Sequence, residues 1–207
     1  MSLMNDFSKL TLSDEEQQLV NNCDWILTKR LIIDKVVQLL GDLSVIQKTV
    51  IENEKNRMPL AVIRSTPKIS KGENYRQLPY VLLDYPRCFD GENTFAIRTL
   101  FWWGNFFSMT LQLSGTYKLL LEEQICNHKN LLDQNQFYVC IHESPWHHYF
   151  ENDNYIAVKQ LAQKEMEEII GQKHFIKLAV KIPLEQWKEI PGLLEKSFIT
   201  ILELLEA

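Results

Sequence analysis

Glycine and proline are scarce in this chain, seven of each in 207 residues, and the glycines stand singly. Their spacing leaves no G-x-G-x-x-G turn and no Walker motif, which removes the commonest backbone cradles for a dinucleotide or a nucleoside triphosphate. Cysteine is scarcer still. Cys23, Cys88, Cys126 and Cys140 are scattered without a C-x-x-C pair, which argues against a zinc ribbon or a disulfide frame and for reduced thiols used in packing. No apolar run approaches the roughly 18 residues needed to span a bilayer. The first twenty residues, MSLMNDFSKLTLSDEEQQLV, lack the basic and then apolar order of a secretory signal. The expectation is a cytoplasmic protein with no membrane attachment. Positive charge is not in excess either: 22 basic against 27 acidic residues give a net charge of -5, which argues against nucleic acid as a partner. A G-x-S-x-G nucleophile turn is absent, and no cysteine sits in an activating context.

What the chain does have is concentrated aromatic character. Nearly half of its aromatic residues fall within Tyr75 to Gly115, and the middle of that stretch alternates with the period of two that marks strands. It reads as a β-hairpin, Phe95 to Trp103 and Phe106 to Leu113, turning on the two residues Gly104-Asn105. A two-residue turn pairs Trp103 with Phe106, Trp102 with Phe107, Leu100 with Met109 and Arg98 with Leu111. That register places Ala96, Arg98, Leu100, Trp102, Phe107, Met109, Leu111 and Leu113 on a core face. The opposite face then carries an aromatic arm, Phe101 and Trp103 among it, beside Ser108, Thr110 and Gln112.

Taken in order, the chain opens on a capping box, Ser13 with Glu16, ahead of a long amphipathic helical region from Cys23 to Val50. Gly41-Asp42 is expected to divide that region, and Pro59 to stop any helix that runs beyond it. Its broad apolar stripe reads as core; a homodimer seam is the alternative, against a spacing that is not a clean heptad. Arg64 to Arg76, with Arg64, Lys68, Lys71 and Arg76, reads as a basic loop able to cover an anionic ligand. Leu78 to Pro86 reads as a short edge strand, Gly115 to Leu132 as a helix, Gln136 to Glu143 as a strand and Tyr155 to Ile170 as a helix. His174 to Ile182 alternates, with Ile176, Leu178, Val180 and Ile182 inward and Lys177 and Lys181 outward. A C-terminal helix carries Leu194, Phe198, Ile201 and Leu205. The sum is an α+β fold: a mainly antiparallel sheet around a central hairpin at about 95–113, packed with N-terminal and C-terminal helices in a single domain, the N-terminal helical region covering about 13–57.

Chemistry concentrates in two places. HESPWHH, residues 142–148, holds His142, His147 and His148 beside Glu143, and imidazole is both a common metal ligand and a proton carrier near neutral pH. Pro145 and a five-residue step between the first two histidines separate the segment from the H-E-x-x-H helix of metalloproteases. Arg98 is the second place. A guanidinium among apolar neighbours requires an anion, and Asp84, Glu143 and a ligand anion are the candidates. Two functions emerge as expectations. The first is a binding or interaction module for a small organic or anionic ligand or a protein partner, using Arg98, Trp103, His142, His147 and His148. The second is an enzyme, metal-assisted if the histidines converge. Cofactor, metal and catalytic residues are left unassigned by the sequence.

Overall fold

The computed structural model describes residues 10–53 and 59–205; the end of the helical region expected over 13–57 lies outside them. The chain divides into two compact units, Met1–Val36 and Val37–Ala207. In the first unit, α1 (Asp14–Asn21) starts on the expected capping box: the Ser13 hydroxyl accepts from the Glu16 amide at 3.2 Å and the Glu16 carboxylate accepts from the Ser13 amide at 2.7 Å. Asn22 leaves helical geometry and its side chain accepts from the Trp25 amide at 3.3 Å, opening α2 (Cys23–Asn53). The break expected at Gly41-Asp42 is not there. Gly41 stays inside α2, where the Ser44 hydroxyl donates to its carbonyl at 2.7 Å; a lone helical glycine costs only about 1 kcal/mol. No helix among the described residues is long and apolar enough to cross a membrane.

The second unit is an α+β fold around one seven-stranded antiparallel sheet, ordered β1-β2-β3-β4-β7-β5-β6. The strands are β1 (Lys68–Tyr75), β2 (Leu78–Asp90), β3 (Asn93–Trp102), β4 (Phe106–Ser114), β5 (Tyr138–Cys140), β6 (Tyr155–Ala157) and β7 (Phe175–Pro183). The part of α2 from Val37 on and helices α3 (Leu60–Ile63), α4 (Thr116–Asn127), α5 (Lys129–Gln134), α6 (Gln163–Gln172) and α7 (Ile190–Glu203) complete it. The first four strands are a meander of hairpins. The chain then makes an excursion through α4, α5, β5, β6 and α6 before β7 returns beside β4. The central hairpin and the alternating strand β7 were both legible in the sequence.

Three segments differ from the sequence expectation. The basic stretch is no loop, because Arg76 and Gln77 both adopt positive φ (48° and 67°) and turn the chain so that Lys68 to Tyr75 pairs with β2. That makes β1 the edge, and β2 runs on to Asp90 as an inner strand. Tyr155 to Ala157 pairs with β5, so the helix expected from Tyr155 begins only at Gln163.

The hairpin register also shifts by one. Trp102 pairs with Phe106, Leu100 with Ser108 and Arg98 with Thr110 across a three-residue turn of Trp103, Gly104 and Asn105. The Trp103 amide donates to the Pro79 carbonyl of β2 at 3.0 Å and so leaves the β3–β4 ladder, while Gly104 takes φ +70°. One residue of slip exchanges faces. Phe95, Ile97, Phe101, Phe107, Met109, Leu111 and Leu113 share one side of the sheet, and Arg98, Leu100, Trp102, Phe106, Ser108, Thr110 and Gln112 share the other. The first side meets the helices: Phe95 packs edge-on against Tyr117 of α4, and Trp187, just ahead of α7, packs against Phe101 and Phe107. The second side is covered by residues 141–154, a loop whose ends meet where the Ile141 amide donates to the Asn154 carbonyl at 2.9 Å. It has the closed form of an Ω-loop, and we call it the strap.

Candidate functional site

Pairing fixes which side chains lie beneath the strap. Asp84, Arg98, Thr110, Ala179 and Tyr138 form one continuous row across five strands; Gln112 and Lys177 pair in the next row, and Cys140 pairs with Tyr155. Arg98 meets Asp84 through two parallel bonds, Nε to Oδ1 at 2.7 Å and Nη2 to Oδ2 at 3.1 Å, the bidentate geometry in which arginine binds carboxylates best. Both side chains are about nine-tenths buried. The expectation that Arg98 needs an anion thus finds Asp84, although the side of the sheet on which it does so is the reverse of the one expected.

The strap brings His148 to this pair. Its Nε2 lies 3.4 Å from Arg98 Nη1, and its amide donates to the Tyr75 hydroxyl at 2.7 Å. Tyr75 in turn packs edge-on against Trp102, whose indole N–H donates to the Tyr75 carbonyl at 3.2 Å. Burial drives the pKa of His148 well below its ordinary value, with the charges of Lys177 and Arg98 pushing the same way. A neutral imidazole is the form that accepts at Nε2 from a guanidinium, so geometry and protonation agree.

Lys177 is the residue that the alternation of β7 misplaced. It does point away from Ile176 and Leu178, but the side it points to is roofed by the strap, and it is 1% exposed. Its ammonium donates to the His147 carbonyl and lies 5.3 Å from the ring centroid of Tyr155. Among the described residues it has no carboxylate partner. Desolvation pushes its pKa down to about 7; Arg98 adds to the fall and Cys140 opposes it. Tyr155, 4% exposed and hydrogen-bonded with Thr110, is held well above the usual phenol range, chiefly by burial. Burial likewise raises Cys140, whose thiol donates to Asn154 Oδ1 at 3.6 Å. A signal for Lys177 and Tyr155 was available in the sequence only jointly: a lysine in a strand central enough to be covered on both sides, and a strap long enough to cover it.

The other sequence candidates scatter. His142 and His147 lie together, ring centroids 4.3 Å apart, with His147 against Tyr149. Lys173 donates to the His142 carbonyl at 3.1 Å and to Glu143 at 3.3 Å. Trp103 sits in the hairpin turn, its ring against Phe101 on the helix side, and joins none of the others. Among the described residues no group of three or more His, Cys, Asp or Glu side chains could hold a metal ion. A separate groove of about 330 Å3 lies between Gln136, β7 and α7, lined by Lys181, Lys196, Ser197 and Thr200 among others; none of the buried charges opens into it. No family model, curated protein or solved structure matches this chain.

Proposed function

We propose that the chain is a binding module for a small organic anion, held beneath the strap by Lys177 and Arg98. One observation carries this reading: Arg98 is neutralised by Asp84, whereas Lys177, buried more deeply, has only a carbonyl oxygen and a ring face. A buried ammonium without a counter-charge is costly, and the molecule relieves that cost either by releasing the proton or by taking up an anion. The strap supports entry of a ligand because side chains hold it down. Arg76 donates to Glu151 and Lys177 bonds the His147 carbonyl, while the Tyr149 hydroxyl donates to Asp153 within the strap at 3.1 Å. Loops of this kind are where binding sites and lids are commonly built. The free cysteines support a cytoplasmic setting, where thiols stay reduced.

Calorimetric titration with lactate and with inorganic phosphate tests the reading. Binding should tighten as pH falls from 8 to 6, with proton uptake by Lys177, and should weaken at least about tenfold in Lys177→Met, the loss expected for one charge-assisted contact. Equal affinity in the variant would refute it. A protein partner, a second copy of the chain being the simplest, is a second reading. It is favoured by Leu19, Val20, Trp25, Leu27 and Leu31 of α1 and α2, each at least half exposed. Light scattering at increasing concentration tests it, and a constant monomer mass would dismiss it.

A further inference from the structure

We infer that Lys177 captures carbonyl-bearing acids, the 2-oxo acids foremost, as an imine beneath the strap, with the acid group facing Arg98. The inference rests on the anion-binding reading and adds a covalent step to it. An amine acts as a nucleophile only when unprotonated, and the two conditions that favour that form are removal from water and a neighbouring cation. Lys177 meets the first fully, being 1% exposed, and the second in part: Arg98 disfavours its protonation although Asp84 pairs with it, and Cys140 acts the other way. Nor does a carboxylate among the described residues hold its proton in place.

Arg98 is suited to the acid end. Its Nε and Nη2 are committed to Asp84, while Nη1 has only the 3.4 Å contact with His148 Nε2, the weakest of the three and the one a carboxylate would displace. Arg98 and Lys177 lie two strands and one row apart, on the order of 12 Å between backbones. Two long side chains and a ligand of a few heavy atoms span that distance. The step balances without another reagent. The amine lone pair forms a bond to the carbonyl carbon, both amine protons pass to the carbonyl oxygen, water leaves, and C=N remains. Nothing is oxidised or reduced.

The full chain incubated with pyruvate and sodium cyanoborohydride, then digested and mapped by mass spectrometry, tests this. Reduced adduct should build up at Lys177 about tenfold or more above any exposed lysine, as expected of a desolvated amine. Acetone, which lacks the acid, should give far less. Lys177→Arg should lose the adduct, and Arg98→Met should lose the preference for pyruvate over acetone, with circular dichroism reporting whether each variant is folded. Adduct spread over surface lysines with Lys177 unmodified would overturn the inference on the unaltered protein alone. Lactate, which has no carbonyl to react, separates the two readings. Lactate bound without pyruvate adduct overturns the imine and leaves the anion site. Adduct at Lys177 without lactate binding leaves the imine and removes the stable anion site; neither signal removes both.

Discussion

Toward the helices the sheet presents Ile97, Phe101, Phe107, Met109, Leu111 and Leu113, none more than 2% exposed; toward the strap it presents Thr110, Gln112 and Lys177, none more than 5% exposed. The two sides are therefore buried to similar depth, but the first is almost wholly apolar, whereas the second mixes Leu100, Trp102 and Phe106 with polar and charged groups. They also differ in how their polar atoms are treated. The buried side-chain polar atoms that lack a partner among the described residues belong to Gln47, Thr99 and Gln124. Thr99 lies between Ile97 and Phe101 on the helix side, Gln47 is in α2 and Gln124 in α4; none is beneath the strap. Beneath the strap no fully buried side-chain nitrogen or oxygen is without a hydrogen-bond partner among the described residues, although Lys177 has no counter-charge. Stray polar groups are tolerated where the packing is apolar enough to offset their cost of about 1–3 kcal/mol each. A buried pair such as Arg98 and Asp84 adds little stability over apolar residues of the same size, and the Lys177 ammonium, buried without a counter-charge among the described residues, costs stability.

The contrast can be broken most forcefully on the helix side. Leu111→Ala should cost about 2–5 kcal/mol, the usual range for a leucine truncated in a filled core. Its shift in denaturant midpoint should far exceed that of Thr110→Val. Equal shifts would mean that the sides do not differ in packing.

Lys177 gives the next largest effect, read through pH. Its folded pKa of about 7 lies below the ordinary 10.5, so between those values the unfolded chain holds a proton that the native one has released. Stability then rises with pH. The usable window ends near 9, because Cys126 and Cys140 have raised thiol pKa values that reverse the slope above the ordinary 9.0. Within it the rise should reach at most about 2–3 kcal/mol, and Lys177→Met should both flatten it and be the more stable protein at pH 7. His148 acts in the same sense at lower pH: its lowered pKa makes stability fall as pH drops below the ordinary 6.5. A wild-type midpoint unchanged from pH 7 to 9 would place Lys177 in water.

Smaller still are the two threonines. Thr110→Val removes the partner of Tyr155 and should cost about 1–2 kcal/mol, whereas Thr99→Val removes a hydroxyl with no partner and should gain about 1 kcal/mol. Opposite signs from the same substitution on adjacent strands would sharpen the comparison to single hydroxyls, and matching signs would blunt it.

How much of this was legible in the sequence depends on the range of the signal. Local periodicity was enough for the α+β fold, the central hairpin, the capping box at Ser13 and the strand at His174 to Ile182. What failed was decided at a distance. The choice between a two-residue and a three-residue turn rested on the Trp103 amide finding Pro79 on the neighbouring strand, and a single residue there reversed both sides of the hairpin. The edge strand β1 rested on Arg76 and Gln77 accepting positive φ, which neither residue type announces. Arg98 was singled out on chemistry that survived the reversal, since a guanidinium seeks an anion on either side. Lys177 was passed over because alternation marks which way a side chain points and is silent about whether water waits there.

The closure of the strap at Ile141 and Asn154 has a kinetic meaning as well as a geometric one. Because the ladder between β5 and β6 pins both ends, lifting the strap fixes no new loop entropy and breaks no strand pair, so it is an opening event far below global unfolding. Amide hydrogen exchange should therefore show two classes within one short segment. The Ile141 amide, bonded to a backbone carbonyl at the base, should exchange with the slow protons of the sheet. The His148 amide, bonded to the Tyr75 hydroxyl at the crest, should exchange sooner, on the time scale at which a ligand can enter.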